Sequence, residues 1–328
     1  MSNSIWFTWE TQRRNKELAD AFASKFCCFD YSNYPRLIRY AVSAFLTLSA
    51  LIKYRPTIIF SQCPSLFLCL LIRFLRPLKK FLWVIDAHNA IFDYLTSSRP
   101  TVRFIAQTCI SNANFVFATN KGMADELYDY TENTIILPDR LPEFNLTADS
   151  DEGIYISLTR PLITLISSFA SDEPIELFLQ AAAHLDRPFT LYVTGRLTKA
   201  EALLGYASHK IIFTDFLPQD EYDNLLRNSD LVVDLTSREN CLVCGAYEAL
   251  ALNRPMILSH SVCLQETFGI AAIYASNTVS SYSQALMDFL DKPEHYRSLV
   301  TIQRQAFVEK WNKSFKSAKE QLGIVCNN

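Results

Sequence analysis

The chain has 328 residues, 49% of them hydrophobic and 20% charged, and a formal net charge of −3. That length allows two ordinary globular domains with separate cores, the apolar content excludes a disordered polymer, and the charge balance gives no overall attraction to nucleic acid. Nine cysteines without a regular framework suit a reducing compartment rather than a disulfide scaffold.

Along the chain, short β-type runs alternate with longer helical patterns, the sequence sign of a parallel sheet covered on both faces. Met1 to Glu10 has no basic start, sustained apolar run or small-residue cleavage site, so no secretory leader is expected and the protein reads as cytosolic. Strands are predicted at Ser4–Trp9, Thr57–Ser61, Phe81–Asp86 and Phe115–Thr119, with helices at Thr11–Ser24, Pro35–Lys53 and Ser65–Arg73 between them. The apolar runs Ala41–Ile52 and Leu66–Ile72 fall short of the roughly 20 residues that span a bilayer. Leu137 to Pro142, with two prolines, reads as a linker. The alternation then repeats, with strands at Leu162–Ser167, Phe189–Thr194, Lys210–Thr214, Leu231–Thr236 and Pro255–Ser259, and helices at Pro174–Leu185, Gln219–Asn228 and Cys244–Leu252. From Asp288 on, the chain reads as helical and polar apart from Phe307, Trp311 and Phe315. The expected fold class is α/β: two Rossmann-like doubly wound domains, 1–142 and 143–328, facing a cleft, with the C-terminal helix packing back over their junction.

Open parallel sheets bind ligands beyond the carboxyl ends of their strands. Polar residues gather at those ends here, in "WETQRRNKEL", "IDAHNAIFD", "ISSFASDEP", "VTGRLTK" and "LTSRENCLVCGAYEA". The last is the most informative. A strand leads into Ser237-Arg238-Glu239-Asn240 and a helix starts near Cys244-Gly245, where unpaired backbone N–H groups and a glycine would let a diphosphate approach. Arg238 would add a charged clamp, and Glu248, one turn inside the helix, can accept hydrogen bonds from a pair of sugar hydroxyls. The residues are those a sugar nucleotide needs. Cys241-x-x-Cys244 lacks a second ligand pair at zinc-like spacing, so the two cysteines are read as small packing residues beside the site, and no metal is assigned.

The stretch "SDLVVDLTSRENCLVCGAYEALALNRPMILS" resembles the donor-site signature of the GT-B glycosyltransferases, particularly their family 4 group. "IWFTWETQRRNKELA", "IDAHNAIFD", "ILPDRLP" and "ISSFASDEPIELFLQAA" resemble matching segments of bacterial members that build surface polysaccharides. The resemblance implies a nucleotide-sugar-dependent hexosyltransferase. Its C-terminal domain would bind the nucleoside-diphosphate sugar and its N-terminal domain a glycan or lipid-linked glycan acceptor, with no obligatory metal and no other cofactor. It also implies that Glu248 binds the nucleotide ribose and an upstream glutamate the donor sugar. Two departures stand out. Eight residues separate Glu239 from Glu248, where the family has seven, so the sugar contact falls to Glu239, Asn240 or both. The arginine and lysine pair that many members carry after the first strand of this domain is also absent, leaving Arg196, Lys199 or Arg238 to supply positive charge.

In the N-terminal half, Asp86 and His88 follow a buried strand, where either can act as general base toward an acceptor hydroxyl; His88 can equally be an Asp-paired turn residue. Glu10, Arg13 and Arg14 open the first helix, the arginines as solvent-facing ion-pair partners or phosphate contacts, and Asn120 reads as a helix cap. Basic residues from Arg36 to Lys80 flank unusually apolar helices, which read either as core helices with basic ends or as a surface for anionic lipid at the inner face of a membrane. Two further function classes fit the architecture, a non-hydrolysing sugar-nucleotide epimerase and a non-catalytic sugar-nucleotide-binding partner subunit.

Overall fold

A computed structural model describes residues 3–63, 65–144 and 159–324. Two compact units share the chain: residues up to Arg140 together with those from Trp311 onward, and Leu141–Lys310.

Unit 1 is a six-stranded parallel sheet. In chain order it runs β1 (Ser4–Thr8), α1 (Arg13–Ala21), β2 (Lys25–Cys28), α2 (Arg36–Tyr54), β3 (Ile58–Cys63), α3 (Leu66–Leu75), β4 (Leu82–Ala87), α4 (Ala90–Leu95), α5 (Pro100–Asn112), β5 (Phe115–Ala118), α6 (Lys121–Leu127) and β6 (Thr134–Ile136). The strand order is β2-β1-β3-β4-β5-β6, with Ile5 opposite Ile59 and Ile59 opposite Trp83. Every residue of β1 and β3 is buried, as a strand covered by helices on both faces must be. One face packs Phe7, Ile59, Trp83 and Ile85 against α3 and α5. The other is aromatic: Trp6 and Phe60 stack at 4.7 Å, Phe22 lies 5.8 Å from Phe117, and Phe315 meets Phe22 edge-on at 4.7 Å. Asn120 caps α6, accepting from the Met123 N–H at 3.0 Å, as its sequence position suggested.

Unit 2 repeats the plan with β7 (Leu162–Ile166), α7 (Ile175–His184), β8 (Thr190–Thr194), β9 (Ile211–Asp215), α8 (Gln219–Asn228), β10 (Leu231–Asp234), α9 (Cys244–Ala251), β11 (Met256–Ser259), α10 (Val262–Phe268), β12 (Ala272–Ala275) and α11 (Val279–Asp291). Its order, β12-β11-β10-β7-β8-β9, is also all parallel. Ile163, Leu191 and Val233 pack against Phe178 of α7 and Leu286 and Phe289 of α11. A final helix, α12 (Pro293–Gln321), starts in unit 2 and ends in unit 1.

The two-sheet α/β class read from the sequence is the one observed. Three edge strands, β2, β6 and β12, are not among the predicted ones; they have three or four residues each, too few to show a period. The order reverses between β1 and β3 in unit 1 and between β7 and β10 in unit 2. At each reversal the flanking helices leave on opposite faces and open a crevice beyond the strand ends.

Candidate functional site

In unit 2 the tips of β7 and β10 meet at the reversal. Beyond β7, Glu173 turns back on the loop: it accepts from the Ser167 hydroxyl at 2.7 Å, the Ser168 hydroxyl at 2.6 Å and the Ser168 N–H at 3.0 Å. Lys199 reaches the Ser168 carbonyl at 3.3 Å. Gly195, after β8, has φ +116°, and a Cβ there would lie 2.4 Å from the Ser167 carbonyl, so only glycine fits under this loop. From the same loop Asp172 ties the tips together, accepting from the hydroxyl of Thr236, beyond β10, at 3.0 Å while its own carbonyl accepts from Ser237 N–H at 2.6 Å. Behind them Ser259 donates to Asn277 at 2.9 Å and accepts from the Thr236 N–H at 3.0 Å.

The sequence-predicted residues fall around this crevice with differing roles. Glu248 is buried on α9, and its Oε2 accepts from the Tyr222 hydroxyl of α8 at 2.5 Å. Arg238 is half exposed and pairs with Asp172 at 3.4 Å. Arg196 is exposed, 5.3 Å over the Phe216 ring. Glu239 is exposed and Asn240 half-buried, and their loop is pinned from behind, since the Cys263 thiol donates to the Glu239 carbonyl at 2.9 Å. Cys244 is exposed and Cys241 half-buried, so Cys244 is not the packing residue expected of it; as first residue of α9 it points away from the interior. Among the described residues no three His, Cys, Asp or Glu side chains converge as a metal site requires.

Gly245 has a different reason from the one read in the sequence. Its missing side chain faces the sheet: a Cβ would sit 2.4 Å from Ile166 Cδ1 and 2.6 Å from Asp234 Oδ2. Its N–H donates to Asp234 Oδ2 at 2.7 Å, so the close approach it permits is that of α9 to β7 and β10. Asp234, which the sequence reading passed over, is the last residue of β10 and buried. Burial, then the nearby Glu173 and Glu248, push its carboxyl well above the usual carboxylate range, against the opposing effect of the Gly245 N–H. An acid at a strand's end, before a loop and a helix with no capping side chain of its own, was the available signal.

In unit 1 the sequence-predicted residues cluster around β4. Asp86 is wholly buried, and Arg14 donates to its two oxygens at 2.7 to 3.1 Å, with His88 Nε2 3.0 Å from Oδ2. Arg14 also bonds Asp139 and the Leu137 carbonyl, the latter at 3.0 Å. Burial would raise the Asp86 pKa, but Arg14 and then His88 outweigh it and hold it at about 2. Burial likewise opposes the charge on Arg14, and its two aspartates more than restore it. Arg14 is thus a buried centre of a network and not a solvent-facing ion pair; Arg13, which pairs with Glu17 at 3.7 Å, is the exposed one. Asp86, with its proton affinity lowered and its oxygens engaged, positions His88 and is unsuited to taking a proton itself. His88 keeps part of its ring exposed.

Glu10 is exposed just past β1, on the rim of a cavity of about 500 Å³ whose walls include Trp9, Arg36, Arg39, Tyr40 and Arg99. This cavity lies at unit 1's own strand reversal, with Ser65 and Leu66 from beyond β3 on its other side.

No protein-family model and no curated protein sequence matches the chain. Solved structures do. A sucrose-phosphate synthase from Thermosynechococcus elongatus superposes with a TM-score of 0.71 at 18% identity, covering 88% of this chain and 79% of that one. Anabaena HepE in complex with UDP-glucose gives 0.73 at 12% identity over 98% and 100%. The lipopolysaccharide outer core galactosyltransferase WaaB gives 0.62 at 11% identity over 96% and 99%. With two six-stranded parallel sheets, each reversing order at a candidate crevice, the chain has the GT-B fold of these glycosyltransferases.

Proposed function

We propose that the protein transfers a sugar from a nucleoside-diphosphate sugar to a hydroxyl of a glycan acceptor. The observation that carries the reading is Glu248: a buried carboxylate on the helix beyond the reversal strand, oriented by Tyr222, in a chain whose fold is shared with a protein crystallised with UDP-glucose. Unit 2 holds the donor. Glu248 takes the ribose hydroxyls, Glu239 and Asn240 the sugar, and Lys199, Arg196 and Arg238 supply positive charge for the diphosphate. Unit 1 holds the acceptor, with His88, set by Asp86, beside its hydroxyl. As the glycosidic bond breaks, charge develops on the departing diphosphate, and fixed cations and the backbone dipoles at the crevice stabilise it without an obligatory metal. The same reading takes the donor as a hexosyl nucleotide, the acceptor as a lipid-linked glycan of surface polysaccharide synthesis, and the place of reaction as the cytosolic side of a membrane.

The test is thermal stabilisation by UDP, GDP, TDP and CMP sugars, for the native sequence and for Glu248→Ala. Saturation near 100 times Kd adds about 2.7 kcal/mol. One nucleotide class is expected to raise the melting temperature of the native protein and leave the variant unmoved. A folded protein indifferent to every nucleotide sinks the donor site, and a sugar nucleotide altered without acceptor shows an epimerase instead.

A further inference from the structure

Helix α2 buries two hydroxyls beside the apolar Ala50 and Leu51 and leaves larger apolar residues bare. The side it turns to its own unit carries Ser43 and Thr47, which are 2% and 0% exposed; Ser43 donates to the Phe29 carbonyl at 2.9 Å, and Thr47 accepts from the Trp9 indole at 3.0 Å. The side it turns outward carries Leu37, Phe45 and Ile52, which are 85%, 68% and 65% exposed. An ordinary surface helix does the reverse. At 19 residues it is long and apolar enough, by length and composition, to cross a bilayer, which the sequence reading had not allowed, yet only 17% of its apolar window is buried. The neighbouring α3 buries Leu68, Cys69 and Ile72 in the ordinary way but adds to the same outer side: Phe67 and Phe74, two turns apart, are exposed, and Leu78 beyond its end is more so.

Charge sorts with this face. From Tyr31 to Ile85 there are eight Lys and Arg and no Asp or Glu, in a chain whose net charge is −3. At the carboxyl ends of α2 and α3, Arg55, Lys79 and Lys80 line a cavity of about 380 Å³ floored by Leu51, Ile52 and Phe81. Apolar ridge and cationic notch thus share Ile52. A core helix left bare would explain the apolar residues but not the missing acids, and a nucleic-acid surface would explain the cations but not the phenylalanines.

We infer that the outer face of α2 and α3 docks on a bilayer bearing anionic phosphate headgroups, the ridge entering between headgroups and the notch of Arg55, Lys79 and Lys80 meeting lipid phosphates. The polar inner stripe, bonded to Trp9 and Phe29, fixes α2 flat against its sheet, so it lies in the interface and does not cross. The inference deepens the transferase reading by naming the partner surface through which a lipid-linked acceptor arrives, but it rests on geometry in unit 1 alone.

Co-sedimentation of the full chain with phosphatidylcholine vesicles, with and without phosphatidylglycerol, tests it. Binding is expected only with the anionic lipid, weakening as salt rises. Lys79→Gln with Lys80→Gln should weaken it roughly 30-fold, and Phe45→Ser with Ile52→Ser, at positions already exposed, by at least about tenfold. No binding, binding that ignores both double variants, or a dimer that Phe45→Ser with Ile52→Ser dissolves while vesicles go unbound would each overturn it. Nucleotide stabilisation measured on the same samples separates the two proposals. A native protein that responds to a nucleotide but ignores vesicles loses only the docking face; one that binds vesicles but ignores nucleotides loses only the donor site.

Discussion

Replacing Gly245 by alanine separates a packing role from a ligand-binding role. The new methyl would lie 2.4 Å from Ile166 Cδ1 and 2.6 Å from Asp234 Oδ2. The isoleucine can give way at its tip, but Asp234 is buried and bonded to the same residue's N–H at 2.7 Å, so yielding there costs the bond. Overpacking costs about 1–3 kcal/mol and a weakened hydrogen bond about 1 kcal/mol, while alanine returns about 0.5–1 kcal/mol in helix propensity. The net loss of about 2 kcal/mol lowers the melting temperature of a unit this size by roughly 4–8 °C. Calorimetry would follow the unit 2 transition, with Gly205→Ala as control: nothing lies within 4 Å of a Cβ there, so that change should be neutral or stabilise by up to about 1 kcal/mol. A Gly245→Ala protein that melts with the native one but no longer responds to any nucleotide would refute the packing argument and restore the diphosphate role.

Two pH-dependent tests follow. With Asp86 at about 2 when folded and 3.8 in its ordinary state, its network contributes roughly 2 kcal/mol above about pH 4 that is lost as pH falls toward 2; urea midpoints of Asp86→Asn should be lower at neutral pH and fall less steeply on acidification, and parallel acid limbs would refute the coupling. Asp234 carries the opposite sign: its raised pKa means its contribution is present below about pH 4 and is lost as pH rises. Asp234→Asn, whose carbonyl can still accept the Gly245 N–H, should therefore melt with or above the native protein at neutral pH, and a large loss there would show that the acid is needed ionised.

The sequence showed what is local. Strands that are buried on both faces, such as Ile58–Cys63, announce themselves as apolar runs, and the block around Glu248 is continuous in the chain. The misses are contacts made at a distance. Arg14 looked like any basic residue in a first helical turn because its partners Asp86 and Asp139 lie 72 and 125 residues on. Gly245 reads in the sequence as a place for a ligand to approach, whereas the space it leaves in the fold is defined by Ile166 on another strand. For the helices at Pro35–Lys53 and Ser65–Lys80 the sequence leaves both the membrane-facing and the core option open, because periodicity reports that a helix has two faces, not which one is turned inward.

The path of the last helix sets an order of events during synthesis. Phe315 closes on Phe22 at 4.7 Å, and the Trp311 indole donates to the Pro138 carbonyl at 3.0 Å, so the sheet made first is completed by residues made last. On a ribosome adding about 5–20 residues per second, Phe22, which packs on Phe60 and Phe117, must wait for more than half the chain before Phe315 arrives. For that interval the nascent protein carries the outer side of Phe22 without its partner together with the bare ridge of α2, and both would be surfaces for chaperones to shield.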